Sequence, residues 1–304
     1  MNDNKERYIQ LCHDNDIPLF SQYFWLDAVC GEEHWDVILI EENNKILASL
    51  PYYLNKVDDG YEIRKATLTQ NNGVYFYYPD GIKYDRKIAF EHKVLDKLID
   101  EIEKPYIIRF RQYFHYSFKN WLPFYWRGYT QSTRYTYLIE DTSNLETIYK
   151  SFNGNIRKHI KKAQEVVTVY EDLNYKEFYN LNCKTYKRQG FEVPYSFELF
   201  EKLYRNLEKR DCVKILYSKD KDDIIHSSAL FAYDTTSVYY LMSGSDENYR
   251  SSQSLTLLIY EGIKIAHQLG KKFDFEGSMK KNIENFFRQF GAVQMPYFDI
   301  RKDF

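Results

Sequence analysis

The run FDFEGSM (273–279) ends an alternating, buried-type strand in a carboxylate, a residue without Cβ and a hydroxyl: Glu276, Gly277 and Ser278. Glycine at that point permits a turn or a close backbone approach that any side chain would block. A carboxylate beside it suits a general base, acting directly or through water. Gly277 and Ser278 are then candidate substrate contacts, although the same three residues also suit an ordinary strand-ending turn. The run SVYYLMSGS (237–245) closes in the same style on Ser243, Gly244 and Ser245. Backbone N–H groups near Ser243 and Gly244 are candidates to polarise a carbonyl oxygen, and Tyr240 on that strand is a candidate substrate contact.

YRSSQSLT (249–256) stands directly before a helical run. A helix N-terminus carries unpaired N–H groups and a dipole that favours an anion. Ser251, Ser252 and Ser254 would add hydroxyls there, Gln253 an amide and Arg250 a charge; the alternative is a plain serine cap with Arg250 in solvent. NIRKHIKKAQE (155–165) gathers Arg157, Lys158, His159, Lys161 and Lys162 on one helix. That cluster suits phosphate, either of a nucleotide-like cofactor or of an RNA donor, or it is a solvated helix face. Tyr186 and Arg188, just before Gly190, form either a substrate-facing corner or a solvated helix end.

Composition narrows the classes. Lys and Arg total 42 against 44 Asp and Glu, a net charge of −2, which weighs against a dedicated nucleic-acid binder. The four cysteines are scattered without a CxxC pair and the seven histidines without HExxH, so no metal site is expected. The 30 Tyr and 21 Phe fit partly wet clefts, where Tyr keeps a polar end, or simply a coding bias. The first residues are polar, and no apolar run reaches the roughly 20 residues that span a bilayer. The expectation is a soluble cytoplasmic protein of unspecified oligomeric state.

These candidates need elements to position them. In the second half the pattern predicts helices over 155–165, 175–189 and 196–210, then strands over 212–218, 224–234 and 237–245 joined by short polar turns. A helix over 254–269 stopped by Gly270, a strand over 272–278, a helix over 282–290 and a last strand near 295–301 complete it. A helix between the strands at 237–245 and 272–278 allows those two to pair in parallel. The first half repeats the order more loosely, with strands over 35–42, 45–57, 61–68, 106–114 and 133–139 and a helix over 86–103. The reading is an α/β (α+β) chain with a mixed sheet in each of two tandem domains, 1–145 and 146–304.

The strand order resembles the GNAT acyltransferase fold. FDFEGSMKKNIENFFRQFGAVQMPYFDI (273–300) looks like the closing segment of its FemAB-like branch, which pairs two GNAT-like domains in one chain. FNGNIRKHIKKAQE (152–165) is similar to that branch's basic entry to the second domain, and LLIYEGIKIAHQLG (257–270) to its helix before the DFEGS strand. The resemblance implies transfer of an acyl or aminoacyl group to an amine. The donor it implies is acyl-CoA, such as acetyl-CoA, or aminoacyl-tRNA as in the Fem ligases that build the peptidoglycan bridge. Three departures stand out. The 249–256 segment keeps Arg250 but has no glycine of the R/Q-x-x-G-x-G/A pattern; Phe287 stands where many GNAT enzymes have a tyrosine acid; and the span from Gly190 to the strand at 212 holds one helix rather than a coiled-coil arm.

The resulting expectation is an N-acyltransferase working in the second domain, with Glu276 as base and a small-molecule, glycan or peptide amine as acceptor, in cell-surface polysaccharide or cell-wall metabolism. A Fem-like aminoacyltransferase and a binding protein that keeps the fold without catalysis are the alternatives. The first domain is expected to be structural, with VYFYYPDG (74–81) lining an acceptor cleft.

Overall fold

A computed structural model describes residues 3–304. In chain order the elements are α1 (Asp3–Asp14), α2 (Tyr23–Val29), β1 (Trp35–Glu42), β2 (Lys45–Val57), β3 (Gly60–Arg64), β4 (Tyr75–Phe76), α3 (Tyr84–Ile102), β5 (Ile107–Tyr113), α4 (Leu122–Trp126) and β6 (Thr130–Ile139). There follow α5 (Leu145–Ser151), α6 (Gly154–Val166), β7 (Thr168–Tyr170), α7 (Tyr175–Arg188), α8 (Phe197–Glu208), β8 (Val213–Lys219), β9 (Ile225–Tyr233), β10 (Ser237–Ser245), α9 (Ser254–Leu269), β11 (Lys272–Asp274), α10 (Lys281–Arg288) and β12 (Val293–Asp303). No helix among the described residues is long and apolar enough to cross a membrane.

Two units emerge, residues 1–134 with 296–304, and residues 135–295. The expected border at 145/146 therefore lies eleven residues past the observed one (145 − 134), and the chain's last nine residues (296–304) go with the first unit. The reason is strand pairing. Asp299–Asp303 of β12 pair antiparallel with Arg109–Tyr113 of β5, and Arg111 donates to both carboxylate oxygens of buried Asp299 at 3.1 and 2.8 Å. A terminal strand read by local pattern alone carries no address for its partner.

In the first unit β1, β2 and β3 form an antiparallel meander and β3 runs parallel to β5. The predicted strand over 61–68 stops at Arg64, and Leu68 takes a left-handed backbone. α3 buries one face, Val94, Leu95, Leu98, Ile99 and Ile102, against this sheet.

In the second unit β7, β8, β9 and β10 are successively antiparallel, as the short polar turns predict, and β10 pairs in parallel with β11. β11 in turn pairs antiparallel with β6 through Phe273↔Ile139 and Asp274↔Leu138. α9 is apolar nearly all round, and its Gly262 lies so close to the Phe231 ring that a Cβ would come within 2.2 Å of it. α7 covers the other face, and α8 begins at Ser196, whose hydroxyl accepts from the Leu199 amide as a capping serine should.

The parallel pairing is short. β10 and β11 share only Ser237↔Lys272, Val238↔Phe273 and Tyr239↔Asp274. Beyond them the Phe275 amide bonds to the Tyr137 carbonyl on β6, while β10 runs on to Ser245 beside β9. The two strands therefore part after Tyr239 and Asp274, at the carboxyl ends where open sheets bind ligands.

Candidate functional site

An open cleft of about 600 Å³ lies at the N-terminus of α9. Its basic groups come from three elements: His159 of α6, Arg188 at the end of α7 and Arg250 of the turn before α9. Ser251, Gln253, Ser254, Leu255 and Thr256 add the helix start, Ser227 and Ser245 the strand ends, and Asn282, Ile283 and Phe286 of α10 a partly apolar wall. Among the described residues no carboxylate lines it. At its base the hydroxyl of buried Ser227 lies 3.0 Å from that of Ser245 and 2.7 Å from that of Ser254. The amides of Gln253, Ser254 and Thr256 are taken up by the Arg250 carbonyl, the Ser252 hydroxyl and the Gln253 carbonyl, so what suits an anion here is the pair of guanidiniums with Ser251 and the positive end of the α9 dipole.

The turn before α9 is built without glycine. Asp246 accepts from the Asn248 amide at 3.0 Å, a bond that, with Lys184 nearby, holds its carboxyl below the usual range. His226 Nε2 lies 3.1 Å from Asp220 Oδ2, and its ring stacks on Tyr249 with centroids 4.5 Å apart. Gln253 takes the left-handed conformation (φ +61°) that glycine usually supplies, at a cost of about 1–2 kcal/mol. The glycine-free segment thus reaches a glycine-like backbone.

Of the anticipated donor-binding residues, Arg250, Ser251, Gln253 and Ser254 line the cleft. Ser252 does not: it is buried, its hydroxyl donates to the Tyr249 carbonyl at 2.7 Å, and it serves the turn itself. Arg188, anticipated as a substrate contact, reaches this cleft, and its Nη1 is buried with no hydrogen-bond partner among the described residues. Tyr186 beside it is half-buried and outside the lining, and burial pushes its phenol up. The basic helix divides. His159 and Ile156 face the cleft, Lys158 and Lys161 are exposed outside it, and Arg157 turns back to donate to the Lys150 and Phe152 carbonyls that end α5.

The strand end near Ser243 and Gly244, where a carbonyl-polarising role is expected, is packed by α7. Asn182 donates to the Ser243 carbonyl at 2.8 Å and the Ser245 amide donates to Thr185 at 2.9 Å, so α7 occupies it. Gly244 is where α7 touches the sheet: a Cβ there would stand 2.5 Å from the Leu181 carbonyl carbon. Tyr240 is a core residue rather than a surface contact. Its hydroxyl donates to Ser243 Oγ at 2.6 Å, its ring meets Phe287 edge-on at 6.0 Å, and burial pushes its phenol up to about 12.

Glu276 follows the end of β11, outside the cleft lining, with Oε1 shielded from solvent. It and Gly277 both take left-handed backbones (φ +59° and +57°). For Glu276 that costs about 1–2 kcal/mol, and strain of this kind gathers at functional turns. Gly277 is required by space as well as φ, because a Cβ would fall 2.0 Å from the Tyr135 carbonyl oxygen. Gly277→Ala is expected to destabilise the fold by about 2–4 kcal/mol, combining overpacking with left-handed strain; an unchanged denaturant midpoint would contradict this. Ser278 uses its hydroxyl to accept from the Lys280 amide at 3.1 Å, a local turn contact.

Sequence reasoning passed over Asp274. It is 1% exposed and points away from Phe273 and Phe275, which lie in the α9-side core. Its Oδ1 accepts from the Thr136 hydroxyl and from the Glu276 amide. Burial, with a smaller contribution from Asp234, outweighs those bonds and pushes its carboxyl up to about 7. An unfolded aspartate titrates near 3.9, so between about pH 4 and 7 the folded protein holds a proton that the unfolded chain has released. This group's contribution is thus fully present below about pH 4 and lost as pH rises through about 7. Asp274→Asn should remove a slope of up to about 1.4 kcal/mol per pH unit. Parallel unfolding curves of both proteins at pH 5 and 7.5 test it; equal slopes would refute the assignment. Ser227, Asn282 and Phe286 were also passed over, since no local motif marks them.

Residues 150–282 match a family model described as an acetyltransferase (GNAT) domain. No curated protein matches the chain in sequence. Among solved structures, a FemX crystal structure is similar at TM-score 0.73 and 14% identity, covering 98% of this chain and 96% of that one. The C-terminal domain of a putative lysylphosphatidylglycerol synthetase from Agrobacterium fabrum is similar at TM-score 0.60 and 11% identity, covering 99% and 93%. A tandem GNAT protein from the clavulanic acid biosynthesis pathway follows at TM-score 0.50 and 9% identity, covering 99% and 95%. At these identities the likeness is one of fold. Among the described residues no group of His, Cys, Asp and Glu is arranged to hold a metal ion.

Proposed function

We propose an N-acyltransferase that takes its acyl group from acyl-CoA and passes it to an amine, in a chain whose residues 150–282 match an acetyltransferase (GNAT) domain model and whose fold is similar to FemX and tandem GNAT structures. The observation that carries this reading is the carboxylate-free cleft at the α9 N-terminus, where Arg188 and Arg250 converge with Ser251 and the Ser227–Ser245–Ser254 hydroxyls. The donor set is the fit test: two guanidiniums and serine hydroxyls, with no carboxylate among the lining residues, suit phosphate oxygens. The donor supplies a thioester carbonyl to the amine. Its diphosphate would be held by Arg188, Arg250 and the first turn of α9, with Phe286 and Ile283 against its apolar arm.

Glu276 takes the proton that the amine loses as its nitrogen bonds to the acyl carbon; the carbon–sulfur bond breaks with its electron pair going to sulfur, and CoA leaves as the thiolate and takes a proton from solvent. With Phe287 unable to donate a proton, positioning of the two reactants carries much of the rate. A small-molecule, glycan or peptide amine of cell-surface or cell-wall metabolism is the acceptor class.

Calorimetric titration with acetyl-CoA, and in parallel with free CoA, tests the donor. Saturable micromolar binding of both is expected. Binding of neither rejects the acyl-CoA reading and leaves an aminoacyl-tRNA donor or a non-catalytic binding protein.

The tRNA reading has its own support in the resemblance to Fem ligases and in Lys158, Lys161 and Lys162, exposed along α6 outside the cleft. On that reading, charge reversal at Lys158 and Lys161 lowers RNA affinity and flattens its dependence on salt. Wild-type protein that binds no RNA at low salt would end it.

A further inference from the structure

Three restraints converge on the backbone of Glu276. Its amide donates to Asp274 Oδ1 at 2.8 Å. That same oxygen is held from the other side by the Thr136 hydroxyl on β6. The next residue, Gly277, is pressed onto the Tyr135 carbonyl on the same strand, so Tyr135 and Thr136 of β6 hold the turn on either side of Glu276, at Gly277 and Asp274. Between these grips Glu276 keeps a left-handed backbone that a residue with a Cβ does not adopt by preference.

We propose that Asp274 is a positioning residue for Glu276: by accepting the Glu276 amide on the oxygen that Thr136 anchors, it fixes the left-handed turn and thereby the direction in which the Glu276 side chain leaves β11. Asp274 does not itself touch the reacting atoms. It is enclosed on the sheet face opposite the α9 core and is absent from the lining of the donor cleft. The role needs an acceptor oxygen at this point, not a charge. Asparagine can supply that oxygen and alanine cannot. The inference rests on the transferase reading, in which Glu276 takes the amine proton.

The test compares Asp274→Asn, Asp274→Ala and Thr136→Val in the full chain. One readout is thiol release from acetyl-CoA with a panel of small primary amines. Asp274→Asn should keep kcat within about threefold, whereas Asp274→Ala should lose about 10²-fold in kcat with little change in KM for acetyl-CoA, the scale of an ångström-sized misplacement. Thr136→Val should fall between them. Loss of kcat in Asp274→Asn equal to that in Asp274→Ala overturns the proposal, because the oxygen alone would then not suffice.

The second readout is the Glu276 amide resonance in ¹⁵N-labelled protein, assigned by its disappearance under selective labelling in Glu276→Gln. It should stay near its wild-type position in Asp274→Asn and move in Asp274→Ala. An amide unmoved by Asp274→Ala overturns the proposal whether or not any amine is acylated, so its failure is separable from failure of the transferase reading, which donor titration decides. Should Asp274→Ala not fold, Thr136→Val must show the same displacement in reduced form; an unmoved amide there is equally decisive.

Discussion

Glu276→Gln should lower turnover by 10²- to 10⁴-fold, the usual range for loss of a general base, and leave affinity for acetyl-CoA within about twofold. The substitution is nearly isosteric, and its backbone amide can still reach Asp274 Oδ1 as in the parent protein. What it removes is basicity. Donor affinity should hold because Glu276 lies outside the lining of the donor cleft. Turnover of the variant within about threefold of wild type would remove Glu276 from the chemistry. Lost turnover together with weakened donor binding would instead mean that the side chain serves the cleft. Thiol release and calorimetry on the same preparations separate the two.

Arg188→Ala should act in opposite directions on binding and stability. Nη1 of Arg188 is buried and has no partner among the described residues. A shielded guanidinium nitrogen without a partner disfavours the ligand-free fold, so truncation should leave the melting temperature unchanged or raise it. Affinity for CoA should fall by roughly 10- to 150-fold, the equivalent of a charge-assisted hydrogen bond worth about 1.5–3 kcal/mol. The loss should be concentrated in compounds that carry the diphosphate. A lowered melting temperature with unchanged CoA affinity would make Arg188 a structural residue and would weaken the anion reading of the cleft. Arg250, exposed at the rim, should show a smaller effect that fades with salt, because solvent screens it.

These expectations draw unequally on sequence and structure. The strands at 224–234 and 237–245, the helix closed by Gly270 and the serine cap at Ser196 all lie where period and turn chemistry place them. The strand predicted to run to 278 instead ends at Asp274, because Asp274 turns the Glu276 amide away from any ladder and Gly277 needs the Tyr135 carbonyl beside it. Arg157 shows the same limit from the other side. Its charge was legible and its partners were not, since the carbonyls it caps become available only when α5 ends beside it.

What the sequence determined by itself is whatever depends on neighbours within a turn or two: the order of strands and helices, the parallel pair implied by the helix at 254–269, the serine-rich start of that helix, and the glycine and glutamate at 276–277. Only the tertiary structure decided that Ser227, Arg188 and His159 meet that helix start, that α7 packs directly on Gly244, and that the last strand belongs with the first unit. The reason is physical. Periodicity, capping and turn preference are local energies written at each position, whereas a cleft is assembled from residues far apart in the chain whose approach is set by packing of the whole sheet.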